Sequence, residues 1–186
     1  MRSAVVRTDR YSTGAIVFHW LIAVAIIVNL WLGIAHDSLP RDWKAMPVHK
    51  ALGITVLVLS LARLAWRLRH QPPPLVGDMP AWERGAATAS HWALYALTIA
   101  VPLTGWLMVS GGAVRRPLDW FGLFPLPYLP VGRAAGSFGH EAHEVLGFAL
   151  LGLAVLHVVA ALRHHLILRN PTLVRMLPIL RGSNID

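Results

Sequence analysis

The chain has 186 residues and a formal net charge of +8, yet only 14% of residues are charged and 55% are hydrophobic. A soluble domain of this size carries about a quarter charged residues, so composition argues against a cytosolic enzyme and against a disordered basic tail. Cysteine is absent, which excludes disulfides, cysteine-held zinc, iron–sulfur clusters and thiolate nucleophiles, and leaves ten histidines as the main metal-capable side chains.

The apolar residues are gathered in runs. Ala15–Ala35, Ala51–Ala62, Ala86–Ser110 and Val145–Leu162 contain no Asp, Glu, Lys or Arg. About 20 apolar residues cross a bilayer core as a helix. The runs therefore predict an all-α, integral membrane four-helix bundle, a single domain over residues 1–186, with helices at about 12–35, 46–69, 84–110 and 139–168. The first run is too long for a cleaved signal peptide, and no Ala-x-Ala site follows it.

In chain order, an arginine-bearing tail leads into helix 1, and the short loop His36–Pro47 returns the chain into helix 2. Helix 2 ends in Arg63-Leu-Ala-Trp-Arg-Leu-Arg-His70, and Gln71-Pro-Pro-Pro74 stops it because proline cannot continue a helix. Helix 3 carries Pro102 and Gly105, where a kink is expected. Gly111–Gly139 is a long segment rich in Gly, Pro and aromatics, of the kind that is functional or lies against something. Helix 4 and a tail beginning Arg169-Asn-Pro-Thr complete the chain.

Positive charge sets the expected orientation. The end holding both termini collects Arg2, Arg7, Arg10, Arg63, Arg67, Arg69, Arg84, Arg163, Arg169, Arg175 and Arg181. The other end has Arg41, Lys44, Lys50, Arg115, Arg116 and Arg133. Both termini are thus expected in the cytoplasm. Trp20, Trp31, Trp66, Trp92 and Trp106 fall near span ends, where an indole suits the membrane interface. The basic balance reads as topology, and no nucleic-acid partner is expected.

Ionisable groups inside spans usually mark ion, proton or cofactor sites. The spans contain His19, His49, His91, His143 and His157, with His140 and His164 at their margins and no mid-span Asp or Glu. Proton-coupled transport would normally use carboxylates there; neutral imidazole is the ligand of b-type haem. His19 falls near the inner face, His49 and His143 near the outer face, and His157 lies 14 residues beyond His143. That is about 21 Å along the axis and nearly four whole turns, so both rings share one side of helix 4. Two stacked haems follow, with His49 opposite His143 and His19 opposite His157. Gly53, Gly147 and Gly152 are the small residues expected to admit a flat macrocycle. His91 is the rival ligand at the inner level and His140 the rival of His143; His36 and His70 read as interfacial or loop residues. His164, seven residues beyond His157, has two readings: a hydrogen-bond partner for a quinone carbonyl, or a basic residue ending the helix beside Arg163 and His165.

With these residues in view, the chain resembles the bacterial cytochrome b561 family over nearly its whole length. The resemblance is carried by Phe18-His19-Trp20, Val48-His49-Lys-Ala-Leu-Gly53, Arg63–Arg69 before the triple proline, His91-Trp-Ala-Leu-Tyr95 and Pro102-Leu-Thr-Gly-Trp106. In and after helix 4 it continues with His143-Glu144, Leu156-His157, His164-His165 and Asn170-Pro-Thr-Leu-Val-Arg-Met-Leu-Pro178. The resemblance implies two haem b groups with axial ligands at His19, His49, His143 and His157, a multi-pass place in the bacterial inner membrane, and electron transfer between a periplasmic partner and ubiquinone. One branch resembles superoxide oxidases, making superoxide a candidate donor; Lys50 beside His49, with Arg115 and Arg116, reads either as a cationic funnel for a small anion or as charges that contact lipid headgroups. Two other readings stand beside this one: a membrane-anchor electron-transfer subunit of a periplasmic dehydrogenase or hydrogenase, and a haem-free transporter or scaffold.

Overall fold

The computed structural model describes residues 10–74 and 79–177. Arg2, Arg7, Arg181 and Pro178 lie outside the described residues. Four helices dominate: α1 (Thr13–Ala35), α2 (Ala45–Arg69), α3 (Ala81–Gly111) and α4 (Arg133–Leu166). Each is long and apolar enough to cross a membrane, with mean hydropathy between 1.6 and 2.5 over its most apolar stretch. Even α1, at 23 residues, reaches about 35 Å, more than the ~30 Å of a hydrocarbon core. Bulky apolar side chains such as Val24, Ile27, Phe148 and Val155 are exposed along the outer faces, as expected where lipid replaces water as the solvent.

Local signals set the helix ends. The Ser12 side chain accepts from the Ala15 amide and caps α1. Pro80 precedes the first turn of α3, which starts at Ala81 rather than near 84. The larger difference is α4, which begins at Arg133 rather than near 139. Its extra turns are packed by glycine: Gly136 lies against the backbone of Gly111, and Gly139 against Met108 and Thr104, so closely that a Cβ on either would come within 3.0 Å of α3 backbone. Helix α3 continues through Pro102.

Neighbours in sequence pack antiparallel. Gly14 meets Trp66 and Gly33 meets His49 across α1 and α2; Arg63 lies over Tyr95 and Arg67 over Trp92 across α2 and α3. Helices α3 and α4 make the most extensive backbone approach, then α1 and α2, whereas neither α1 nor α2 approaches α4 comparably. We call the end holding Thr13, Arg69, Ala81 and Leu166 the terminal end, and the other the loop end.

The segment after α3 folds onto the loop end as a small hairpin. β1 (Asp119–Trp120) pairs antiparallel with β2 (Phe124–Pro125). Phe121 and Gly122 both have positive φ, 51° and 74°, the two-residue signature of a tight hairpin turn in which glycine carries no Cβ penalty. Trp120 donates its indole N–H to Thr55 Oγ1 at 3.0 Å, Trp106 donates to the Pro127 carbonyl at 2.9 Å, and Lys50 donates to the Pro117 carbonyl. The hairpin is thereby fastened to α2 and α3.

Candidate functional site

At the loop end the rings of His49 (α2) and His143 (α4) face each other, centroids 6.0 Å apart and planes at 89°. Each is held in the same way. His49 donates Nδ1–H to the Asn29 carbonyl at 3.0 Å, and His143 donates Nδ1–H to the Val101 carbonyl at 2.8 Å. Four residues on from each carbonyl, hence one turn along the same helix face, stands a glycine. A Cβ at Gly33 would come within 2.9 Å of His49 Cε1, and one at Gly105 within 2.9 Å of His143 Cε1. Each ring thus lies in a notch made by a carbonyl and a glycine of the neighbouring helix. Because a carbonyl can only accept, the proton is fixed on Nδ1 and Nε2 keeps its lone pair.

The terminal end is built differently. His19 (α1) and His157 (α4) have centroids 6.2 Å apart at 61°, but His91 (α3) also stands 5.6 Å from His157 at 65°. The structure brings three imidazoles together here. The Arg63 Nη2 donates to His19 Nδ1 at 3.3 Å, so in the neutral ring the proton sits on Nε2, the opposite tautomer from the loop-end pair. Gly147 and Gly152 have open space where a Cβ would go, and Gly53 makes only an ordinary contact with Asn29. The glycines that seat the histidine rings are two others, Gly33 and Gly105. Their sequence signal, a glycine one turn after a carbonyl facing another helix's histidine, becomes readable only once the facing helix is known.

The remaining histidines lie elsewhere. His164 is 6% exposed; Asn170 Nδ2 donates to its Nδ1 at 2.7 Å, and its Nε2 stands 3.8 Å from Glu83, which is also ion-paired with Arg163 at 2.7 Å. It is a buried joint between α3, α4 and the tail, apart from the His19–His157 pair. His70 stacks on Trp66 at 4.1 Å, His36 bonds the Gly33 carbonyl at 2.9 Å, and His140 is exposed beside Ser137 and Glu141 at the start of α4.

These arrangements restrict what the site can hold. Among the described residues no group of three or more His, Asp or Glu is placed to hold a metal ion. A facing pair of imidazoles suits a metal whose other ligands come with it. Two imidazoles bound to one metal through nitrogens about 2 Å away set their centroids roughly 6 Å apart, which the 6.0 Å and 6.2 Å pairs match. Both pairs join α4 to one of the first two helices, His49 from α2 and His19 from α1. The loop-end pair fits such a group as it stands; the terminal-end pair fits on spacing once the His19 proton moves to Nδ1.

The sequence profile of the family described as prokaryotic cytochrome b561 matches residues 10–178. The chain belongs to this family. It is 34% identical to cytochrome b561 homolog 2 of Escherichia coli K12, with 91% of this chain and 92% of the relative covered. It is 32% identical to a probable superoxide oxidase, CybB, of Yersinia pestis (93% and 98% covered), and 29% identical to cytochrome b562 of Cereibacter sphaeroides (90% and 94% covered). Membership makes it a multi-pass electron carrier of a prokaryotic membrane, in a cytochrome family that implies haem b.

Proposed function

We propose that this b561-family protein holds two haem b groups, one between His49 and His143 and one between His19 and His157, and carries electrons from a periplasmic donor to ubiquinone. The observation that carries the reading is the pair of facing imidazole couples at bis-ligand spacing, 14 residues or about 21 Å apart along α4. Haem b supplies one-electron redox chemistry when bound. The chain's own residues do the rest. The Asn29 and Val101 carbonyls fix which nitrogen faces the iron, and hydrogen bonding to that outer ring nitrogen raises the basicity of the ligand. The lipid-facing apolar side chains keep water from the interior.

The terminal end is assigned to the cytoplasm on the arginine excess, of which Arg10, Arg63, Arg67, Arg69, Arg84, Arg163, Arg169 and Arg175 fall on described residues. The loop end then faces the periplasm. Superoxide is the donor we favour, from the likeness to the probable superoxide oxidase and from Lys50, next to His49 in sequence, with Arg116 and Asp119 in its electrostatic neighbourhood. Two superoxide ions each give up one electron and leave as dioxygen; with two protons those electrons convert one ubiquinone to ubiquinol. At the cytoplasmic end His164 and Glu83 form the buried acid–base pair, and we assign His164 the role of holding a proton at Nε2 for the quinone.

A reduced-minus-oxidised optical spectrum with haem quantification tests the core of this: two haems per chain are expected, and a colourless protein overturns it. Superoxide-driven reduction of ubiquinone by the isolated protein is expected as well. If electrons enter only from a protein that co-purifies with it, the chain is the anchor subunit of a larger complex instead.

A further inference from the structure

Arg63 and Arg67 stand one turn apart on α2 and face α3. Arg63 lies 5.1 Å from the Tyr95 ring centroid; Arg67 lies 5.4 Å from Trp92 and 5.6 Å from Tyr95. Among the described residues neither has a carboxylate within ion-pair distance; the acid of this end, Glu83, is engaged by Arg163 and His164. Both are only part exposed, unlike Arg69 and Arg84 at the same end. The tail folds across them. Arg175 donates to the Pro74 carbonyl at 2.7 Å, and Trp20 donates to the Met176 carbonyl at 2.7 Å. Tyr11, just before α1, lies in the field of Arg67, Arg175 and Arg63, and burial pushes its hydroxyl above the usual tyrosine range although the arginines pull the other way.

Two guanidinium groups side by side, partly withdrawn from water and with no ion-paired carboxylate among the described residues, repel each other and have lost hydration. Stacking on aromatic faces offsets part of that cost and leaves the charge in place. Their planar forks are shaped for carboxylates, and one of them already touches His19. We propose that Arg63 and Arg67 receive the propionate carboxylates of the haem held between His19 and His157, an inference that rests on the pairing proposed above. A carboxylate that draws Arg63 away frees His19 Nδ1 to take the ring proton and leaves Nε2 for the iron, the tautomer the loop-end pair already has. Two part-buried positive charges also favour the reduced form of that haem, so the same arginines bias electrons toward the cytoplasmic end. Lipid phosphate would bind the same guanidinium chemistry, but exposed Arg69 and Arg84 are the residues placed to meet headgroups.

The test is an optical redox titration of the full-length holoprotein, with the component lost in His157→Ala taken as the terminal-end haem. Arg63→Gln is expected to make that component about tenfold harder to reduce, about 59 mV for a one-electron couple. Arg67→Gln should move it less in the same direction, Arg63→Lys should recover most of the loss, and Arg69→Gln should move nothing. With haem carrying 13C-labelled propionates, redox-difference infrared carboxylate bands should shift in Arg63→Gln. If Arg63→Gln does not fold, Arg67→Gln and Arg63→Lys carry the same readouts. The proposal is overturned if neither glutamine variant moves the component, if Arg69→Gln moves it equally, or if the propionate bands stay fixed while the potential changes, as a headgroup-bound arginine would give. A protein with no haem, or one in which His19→Ala and His157→Ala remove different components, overturns the pairing itself.

Discussion

The two ends of the bundle hold similar couples of histidines by different means. At the loop end, backbone carbonyls of α1 and α3 fix both rings, and Gly33 and Gly105 leave room for them. At the terminal end, three rings share one level and a long cationic side chain, Arg63, occupies the nitrogen that a carbonyl holds elsewhere. A carbonyl inside a helix cannot swing away, so the loop-end couple is organised before any cofactor arrives. A guanidinium on a long side chain can be exchanged for another partner, so under the proposed pairing the terminal-end couple would be completed by what binds there. Rigid support gives ligand geometry, and exchangeable support gives control of charge.

The largest effect expected from breaking this contrast is at the ligands. Under the proposed pairing, His143→Ala and His49→Ala should each take the preparation from two haems to one and remove the same spectral component; pyridine haemochrome quantification checks it, and loss of different components would refute the pairing. Next come the notches. Gly105→Ala and Gly33→Ala each place a methyl within 2.9 Å of a ring carbon, where the ring must move because the intruding group is fixed to a helix backbone. Electron paramagnetic resonance should show an altered ligand field in the loop-end haem alone, with the terminal-end signal unchanged.

A smaller change sharpens the comparison at the crowded end. His91→Ala should keep both haems and perturb only the terminal-end spectrum, whereas His19→Ala should lose that haem; retention through His91 would show that His91 is the partner of His157. Smallest of all is Glu83→Gln. The Arg163–Glu83 pair is 48% and 14% exposed at its two side chains, so its loss should lower stability by only a few tenths to about 1 kcal/mol. Quinone reduction should slow more than that, because His164 loses its acidic neighbour, and steady-state turnover beside a thermal melt separates the two.

Much of this was legible along the chain. The four spans and the 14-residue step from His143 to His157 are local properties of one strand of sequence. The loop 111–139 was legible only as something that packs, since the Trp120–Thr55 and Lys50–Pro117 bonds join segments 65 and 67 residues apart. Gly147 and Gly152, read from sequence as room for a flat macrocycle, have open space beside them, while Gly33 and Gly105, which seat the loop-end rings, face those rings from neighbouring helices and could not be picked out along the chain. From sequence His164 has two readings, a partner for a quinone carbonyl or a basic residue ending the helix; Asn170, reaching back from the tail, and Glu83, from α3, place it in a buried joint that neither reading foresees.

By itself the sequence determined that the chain crosses a membrane four times and at what heights its imidazoles sit, because hydrophobic length and helical rise are carried by each segment alone. Only the tertiary structure decided which carbonyl holds each ring, which glycine yields to it, and that His91 and Arg63 crowd one end. Those contacts depend on how helices rotate and cross, and that rotation is set by close packing between segments that share no local pattern.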